Sequence, residues 1–226
     1  MSHYVTDLDG ERKPRKLPDR ELNASEVRVL GSLAEKQMAT PEYYPLTLNA
    51  LVAACNQKSN REPVMELTES DVQGALDRLQ SEKLVWKVMG GRAVRWEHNL
   101  DANLQLDRPA KAILALLFLR GAQTPGELRG RSDRLHAFES IAEVEETLQR
   151  MSPLVREIAR RPGQKESRWM HVLSGTAAEV GGASTEFGAS TDVSGGPTLS
   201  ERVQSLEEQV AALTDELRAF KAKLGE

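Results

Sequence analysis

Residues 68–98 have the sequence TESDVQGALDRLQSEKLVWKVMGGRAVRWEH, and this segment predicts a helix followed by a β-hairpin. Thr68, followed three residues later by Asp71, is typical of a capping box at the start of a helix. The apolar residues of that helix recur at the spacing of a single face: Val72, Ala75, Leu76 and Leu79. The run LVWKV, a Gly90-Gly91 pair and a second β-rich run then predict a hairpin that turns at the two glycines.

Two further helices are predicted upstream of this stretch. Asn23 and Glu26 have capping-box spacing and begin a helix that extends through Met38, with apolar residues on one face. Thr47 begins a second, shorter helix. Three helices followed by a β-hairpin form the winged-helix arrangement, in which a helix-turn-helix carries a β wing.

The same order of signals returns in the second half of the chain. An apolar helix core spans 112–119, and the sequence TPGE at 124–127 combines a cap, a proline at the first helical position and a capping-box glutamate. Ser140 with Glu143 begins a third helix, and a hairpin turns at Pro162-Gly163. The predicted fold class is mainly α with small β-hairpins: tandem winged-helix domains plus a C-terminal coiled-coil helix. The alternative is an α+β domain with a coincidental duplication.

Composition marks the domain boundaries. The first residues mix prolines with charges of both signs, and residues 175–197 are Gly, Ala, Ser and Thr with scattered acids, which is typical of a flexible linker. The predicted organisation is a disordered N-terminal arm (1–22), winged-helix domain 1 (23–100), winged-helix domain 2 (101–174), the linker (175–197) and a coiled-coil helix (198–226).

Four stretches resemble the bacterial YceH family: YPLTLNAL at 44–51, ACNQKSNR at 54–61, TPGELRGRS at 124–132 and PGQKESR at 162–168. The likeness covers about residues 23–174, and motifs of this length are specific. The resemblance implies a cytosolic protein with tandem winged-helix domains. It supplies no catalytic residues.

Charge and composition exclude several classes of protein. The formal net charge is −4, and Cys55 is the single cysteine, which excludes an internal disulfide framework and favours a reducing compartment. No apolar run approaches the roughly 18 residues of a membrane span, and the charged N-terminal residues do not resemble a signal peptide. We therefore expect a cytoplasmic protein without membrane association.

The distribution of charge restricts nucleic-acid binding to the wings. Residues 101–173 hold ten acidic and twelve basic residues, the only segment with basic excess, whereas the predicted third helices expose mainly acids. An acidic third helix is a poor reader of DNA, because it approaches phosphates with the wrong sign. The candidate DNA contacts are basic residues of the wings and of the second unit's second helix: Lys87, Arg92, Arg95, Arg129, Arg131, Arg156, Arg160, Arg161, Lys165 and Arg168. The alternative is that these bases only protect hairpin edges from pairing.

Another polar cluster, formed by Lys58, Asn60 and Arg61, lies between the second and third helices of the first unit. The segment that contains it is long for a helix-turn-helix turn. It is either a binding loop for a peptide or second protomer, or a loop that stabilises the domain.

The C-terminal residues carry a strict heptad repeat. Apolar residues alternate at steps of four and three, which predicts a coiled coil and a homodimer. The predicted dimerisation residues are Leu199, Val203, Leu206, Val210, Leu213, Leu217, Phe220 and Leu224. The alternative is a helix that packs back on its own domain.

Enzyme chemistry has no signature in this sequence. The four histidines and Cys55 lack metal-ligand spacing, and no phosphate-binding loop, dinucleotide fingerprint or nucleophile elbow is present. His98 and His171, each two residues after a tryptophan, are interpreted as structural repeats. We expect no catalytic residues, no metal and no cofactor. The leading hypothesis is a DNA-associated regulator that binds through basic wings; the alternative is a protein-interaction adaptor that uses winged-helix surfaces.

Overall fold

A computed structural model describes residues 17–90, 93–160 and 166–174 of the 226-residue chain. The predicted linker and coiled coil lie outside the described residues, as does most of the N-terminal arm. The eight predicted dimerisation residues, together with Arg92, Arg161 and Lys165, therefore also lie outside them. All the described residues belong to one compact unit.

The first half of this unit contains three main helices and a small sheet. The elements are α1 (Ala24–Ala39), a 3₁₀ turn (Pro41–Tyr43), β1 (Leu46–Thr47), α2 (Leu48–Cys55), α3 (Glu69–Ser81), β2 (Val85–Gly90) and β3 (Ala93–His98). The second half begins with a short additional helix, α4 (Leu100–Leu104). It then has three helices and a hairpin in the same order: α5 (Arg108–Arg120), α6 (Pro125–Ser132), α7 (Ile141–Arg150), β4 (Val155–Ile158) and β5 (Arg168–His171). Helix α7 thus corresponds to α3. The prediction of a mainly helical protein with small β-hairpins is confirmed.

The predicted helix starts are confirmed at atomic detail. Asn23, Thr68 and Thr124 each accept a hydrogen bond from the backbone three residues on, and the acidic side chain there bonds back to the cap. Thr47 and Ser140 cap α2 and α7 through their hydroxyl oxygens. These caps satisfy backbone N–H groups that have no partner within the helix.

The two antiparallel sheets differ from the prediction in register and in extent. The predicted turn at Gly90-Gly91 is wrong by one residue, because the β2–β3 ladder continues until Gly90 faces Ala93. Strand β1, which the sequence did not reveal, adds to this sheet by pairing Leu46 with Trp96. In the β4–β5 sheet a single bridge replaces it: Gln123 exchanges both backbone bonds with Trp169, at 3.0 and 2.7 Å.

The two halves share one apolar core. Buried residues of α1, α3 and β3 form a single cluster with those of α5, α7 and β4. Backbone bonds also join the halves, from Glu62 N–H to the Leu119 carbonyl and from Leu22 N–H to the Leu173 carbonyl, both 2.8 Å. Because α1 packs directly on α5, each half completes the core of the other.

Gly31 permits the close approach of α1 and α5. A Cβ at this position would lie 2.8 Å from Cβ of Phe118 and 3.0 Å from the Leu119 side chain. We expect Gly31→Ala to lower the free energy of unfolding by about 1–3 kcal/mol, because the helices must move apart. Urea denaturation followed by circular dichroism measures the change.

Gly74 in α3 provides the matched control. Its added Cβ would meet only the Arg78 guanidinium, at 3.5 Å. We expect Gly74→Ala to raise stability by about 0.5–1 kcal/mol, because alanine is the better helix former. Equal effects of the two substitutions would contradict a specific contact at Gly31.

Candidate interaction surfaces

The exposed face of α3 is acidic, as the sequence predicted. Asp71 and Asp77 are exposed, and Gln73 donates to the Asp77 carboxylate at 2.7 Å. Arg78, the basic residue of this helix, is bound by the Glu26 carboxylate of α1. The outward surface of α3 therefore offers carboxylates and a neutralised guanidinium.

The corresponding face of α7 has the same character. Glu145 and Glu146 are exposed, whereas Val144 and Leu148 point into the core. Arg150 at the end of the helix lies 3.0 Å from the Asp107 carboxylate. The exposed faces of α3 and α7 would thus repel the phosphate backbone of DNA.

Glu26 is fully buried and joins the segment before α1, the start of α1 and helix α3. Its carboxylate accepts bonds from Arg20 and Arg78, and it closes the capping box with Asn23. Burial alone would raise the pKa of Glu26, but these hydrogen bonds outweigh it and hold the pKa below its ordinary value. Arg78, whose side chain is 49% exposed, thereby holds α3 against α1 while part of its guanidinium stays at the surface.

The described bases of the first hairpin make internal contacts. Lys87 lies over the Trp96 ring, with Nζ 4.9 Å from the ring centroid, and Arg95 donates to the Pro45 carbonyl at 2.8 Å. Lys87 is nevertheless exposed, and three further exposed side chains of this hairpin are apolar. Trp86, Met89 and Val94, the "apolar wing", are 39%, 76% and 42% exposed.

In the second half, two of the predicted DNA contacts converge on one carboxylate. Arg168 lies 3.0 Å from Glu127 and also donates to the Ala122 carbonyl, while Arg131 bonds Gln123 at 2.8 Å and lies 3.5 Å from Glu127. Burial, followed by the nearby Arg120 charge, lowers the pKa of Arg131. These arginines join α6 to the second hairpin.

The remaining described bases of this half are Arg129, Arg156 and Arg160. Arg129 donates to the Glu139 carbonyl at 3.1 Å, and Arg156 is half-buried within β4. Arg160 is exposed and lines an open cleft of about 670 Å³ between the starts of α6 and α7 and the hairpin. Three carboxylates line the same cleft, namely Glu145, Glu157 and Glu166.

The polar cluster in the loop at 58–61 has both exposed and buried side chains. Lys58 and Asn60 are exposed, but the Arg61 side chain is fully buried. Arg61 donates to both oxygens of Glu35, at 3.0 and 2.6 Å, and to the Ala54 carbonyl at the end of α2. Of the two interpretations of this loop, the stabilising one fits the position of Arg61.

Arg28 has a similar role that the sequence did not reveal. It is 2% exposed and donates to the Cys55 carbonyl at 3.0 Å, beside the carbonyl that Arg61 binds. Two buried guanidinium groups thus satisfy the last carbonyls of α2, where a helix favours positive charge. A sequence pattern does not show this, because both arginines look like surface residues.

The histidines and the cysteine occupy structural positions. His98 and His171 end β3 and β5, are 6% and 4% exposed, and have pKa values lowered to about 4 by burial. Burial raises the pKa of the Cys55 thiol. Within residues 17–90, 93–160 and 166–174, no group of three or more His, Cys, Asp or Glu side chains could hold a metal ion. No helix in these ranges has both the length and the apolar character needed to cross a membrane.

These features define a mainly helical protein with two similar halves. Each half exposes an acidic helix face, on α3 and on α7, and the first half also exposes an apolar hairpin. Residues 22–164 match the family model described as "Protein of unknown function, DUF480". The chain belongs to this family, whose members include the UPF0502 proteins.

Three relatives show how far the likeness extends. The chain is 52% identical over 161 residues to a UPF0502 protein of Pseudomonas paraeruginosa, covering 70% of this chain and 73% of that protein. It is 54% identical over 160 residues to one of Azotobacter vinelandii, covering 70% and 71%. With one of Geobacter sulfurreducens it shares 53% identity over 159 residues, covering 68% and 73%.

Proposed function

We propose that this protein is a non-enzymatic adaptor, built from two winged-helix units, that binds another protein through its first unit. The observation that carries this proposal is the character of the exposed surface. The third helices present carboxylates, and the first hairpin presents the apolar wing.

The order of elements supports two winged-helix units. In the first half, a strand between α1 and α2 pairs with the hairpin that follows α3, which closes a three-stranded sheet beside three helices. In the second half, α5, α6 and α7 precede the β4–β5 hairpin, and Gln123 takes the place of the extra strand. This arrangement agrees with the resemblance to the YceH family and with a winged-helix architecture.

The contacts of the basic residues favour a protein over DNA as the binding partner. Of the ten candidate DNA contacts, Lys87, Arg95, Arg129, Arg131 and Arg168 make internal contacts with a ring, carbonyls or carboxylates. An arginine that holds its own fold together has fewer N–H donors and less freedom of movement left for a phosphate. An adaptor does not need these donors.

The apolar wing and α3 together define the partner's chemistry. Met89 and Val94 face each other across the β2–β3 ladder, so their side chains form one exposed patch on the same face of the hairpin. The adjoining helix α3, which packs on β2, separately exposes Asp71 and Asp77. A partner with an apolar centre fits the Met89–Val94 patch, in line with the composition of protein interfaces, and lysine or arginine elsewhere on that partner would fit the carboxylates of α3.

Photocrosslinking in a bacterium that carries a family member tests the adaptor function. We expect a crosslinking amino acid at Met89 to give a discrete protein adduct, and Val94→Asp to remove it. The same amino acid at Asp133, an exposed position in the second half, is the control. No adduct at Met89, or an adduct of equal yield at Asp133, would contradict a protein partner on the apolar wing.

DNA binding through the second wing is the second candidate, favoured by the basic excess of residues 101–173. A fluorescent duplex titrated at two salt concentrations tests it. Binding that weakens steeply with salt and on Arg160→Glu with Arg161→Glu would support contact with phosphates. Absence of binding at low salt would reject it.

The heptad repeat supports a proposed homodimer. We expect Leu206→Asp with Leu213→Asp to reduce the mass in solution from twice the chain mass to the single-chain value of 25.0 kDa, because charges at d positions disrupt the apolar seam. Light scattering measures the mass. Glu208→Lys, at an f position outside the seam, should leave the dimer intact, and a dimer that survives the double substitution would assign the contact elsewhere.

A further inference from the structure

A cavity of about 310 Å³ lies where the two halves meet, between the start of α1, the loop at 62–65 and the ends of α5 and β5. Its walls are mostly apolar and include Leu22, Val27, Met65, Leu117 and Phe118. This volume is at the lower end of the range for small-molecule sites, and an apolar wall with a few polar groups is typical of them.

His171 lines the cavity, and one of its ring nitrogens is unused. The residue is 4% exposed, and its Nδ1 is buried without a hydrogen-bond partner among the described residues. Its ring meets Phe118 edge to face, with the centroids 4.9 Å apart. Because buried polar atoms in native proteins are normally hydrogen-bonded, this nitrogen indicates that a ligand atom belongs beside it.

Arg28 brings to the same wall a positive charge that forms no ion pair with a carboxylate of the described residues. Its two terminal nitrogens donate to the Cys55 and Pro63 carbonyls, whereas its Nε is buried and has no partner among the described residues. None of the carboxylates in the described residues lies within ion-pair distance of Arg28. Glu35 is bound by Arg61, and Glu62, which also lines the cavity, lies 4.0 Å from Arg120.

The start of α1 also lines the cavity, through Asn23 and Ala24, the cap and first residue of a 16-residue helix. The Glu26 carboxylate already binds in the first turn of this helix, so the attraction for an anion comes from Arg28. A buried guanidinium without a carboxylate partner favours an anion on the side of the cavity that it occupies.

We propose that this cavity binds a small organic acid, with its carboxylate at Arg28 and His171 and its apolar body against Leu117 and Phe118. The carboxylate supplies the counter-ion that Arg28 lacks and an acceptor for a nitrogen of His171. The site draws residues from both halves of the chain, so its ligand bridges them. This binding does not depend on the proposed adaptor function.

Calorimetric titration of the full-length protein with octanoate and with 1-octanol tests the proposal. The two probes have the same apolar chain and differ in the charged head. We expect octanoate to bind roughly tenfold more tightly than octanol, as a charged hydrogen bond provides. In Arg28→Gln this ratio should fall to about one while octanol still binds, which also shows that the variant is folded.

A second pair of variants keeps the test independent of Arg28. Ala24→Phe places a ring at the cavity wall and should abolish binding of both probes, whereas Ala53→Phe, at an exposed alanine of α2 away from the cavity, should not. Equal affinity for octanoate and octanol in the wild type would overturn the proposal. So would undiminished octanoate binding in Ala24→Phe, or no saturable binding at millimolar concentrations.

Discussion

Acidification from pH 7 to pH 4 is expected to destabilise the fold by roughly 3 kcal/mol for each of His98 and His171. Both pKa values are lowered to about 4, mainly by burial, from an unfolded value near 6.5. Between these pH values the unfolded chain binds protons that the folded chain does not. Stability is therefore full above about pH 6.5 and is lost as the pH falls towards 4.

The hydrogen bonds of His98 identify the neutral tautomer that burial favours. The Leu100 N–H donates to Nδ1 at 3.3 Å, so Nδ1 carries a lone pair, and Nε2 donates to Gln37 Oε1 at 2.9 Å. Lys111 donates to the same Gln37 oxygen at 2.7 Å, which fixes the amide. A second proton on His98 would face the Leu100 N–H directly.

Urea denaturation at pH 7 and at pH 4.5 measures this effect against other acid-sensitive groups. The loss of stability over this interval should be about 2–3 kcal/mol smaller in His98→Gln than in the wild type. His136→Gln, at a partly exposed histidine that lies 3.7 Å from Glu143, is the matched control. If both variants keep the pH dependence of the wild type, His98 is not the group that titrates.

Arg61→Met is the substitution with the largest expected cost, about 3–5 kcal/mol of unfolding free energy. The change removes a buried guanidinium that binds Glu35 through two oxygens and the Ala54 carbonyl. Glu35, whose side chain is 13% exposed, would keep Lys36 at 3.4 Å as its one ionic partner within the described part of the chain. Denaturant midpoints at constant pH measure the loss.

Lys58→Met, three residues away in the same loop, is the control for Arg61→Met. Lys58 is exposed, so its replacement should change stability by no more than about 0.5 kcal/mol. Adding Glu35→Met to Arg61→Met should recover part of the loss, since the unpaired carboxylate is then removed as well. Equal costs for Lys58 and Arg61 would contradict a buried ion pair.

The features predicted correctly from sequence are those that local interactions determine. The caps at Asn23, Thr68 and Thr124 depend on bonds three residues apart, so spacing alone reveals them. The apolar face of α3 follows from helical periodicity in the same way. The hairpins were found for this reason too, although the Gly90–Ala93 pairing shows that two adjacent glycines do not fix the register of a turn.

The features that sequence reasoning missed depend on contacts between distant residues. Strand β1 has two residues, and it is a strand only because Leu46 pairs with Trp96. Helix α4 has five residues, too few to show a periodicity. Arg28 and Arg61 are buried because the end of α2 needs donors there, which their charge alone would not suggest.

The sequence predicted the sign of the charge on the candidate interaction surfaces, but not which of the charged side chains are already bonded within the fold. The acidic faces of α3 and α7 follow directly from helical spacing. The basic residues of the wings were predicted from sequence as DNA contacts, which stays a prediction. The bonds that Arg95, Arg131 and Arg168 make to a carbonyl, an amide oxygen and a carboxylate arise only in three dimensions. The apolar wing depends likewise on Met89 and Val94 meeting across two strands.

The contact of Gly31 with Phe118 also determines when the chain can fold during synthesis. Helix α1 leaves the ribosome early, but the surface of α5 that it covers is translated roughly 4–20 s later at about 5–20 residues per second. During that interval α2 and α3 can already pack on α1, but the part of α1 that faces α5 has no native cover. A slow stretch of translation before α5 would prolong the exposure of that apolar surface.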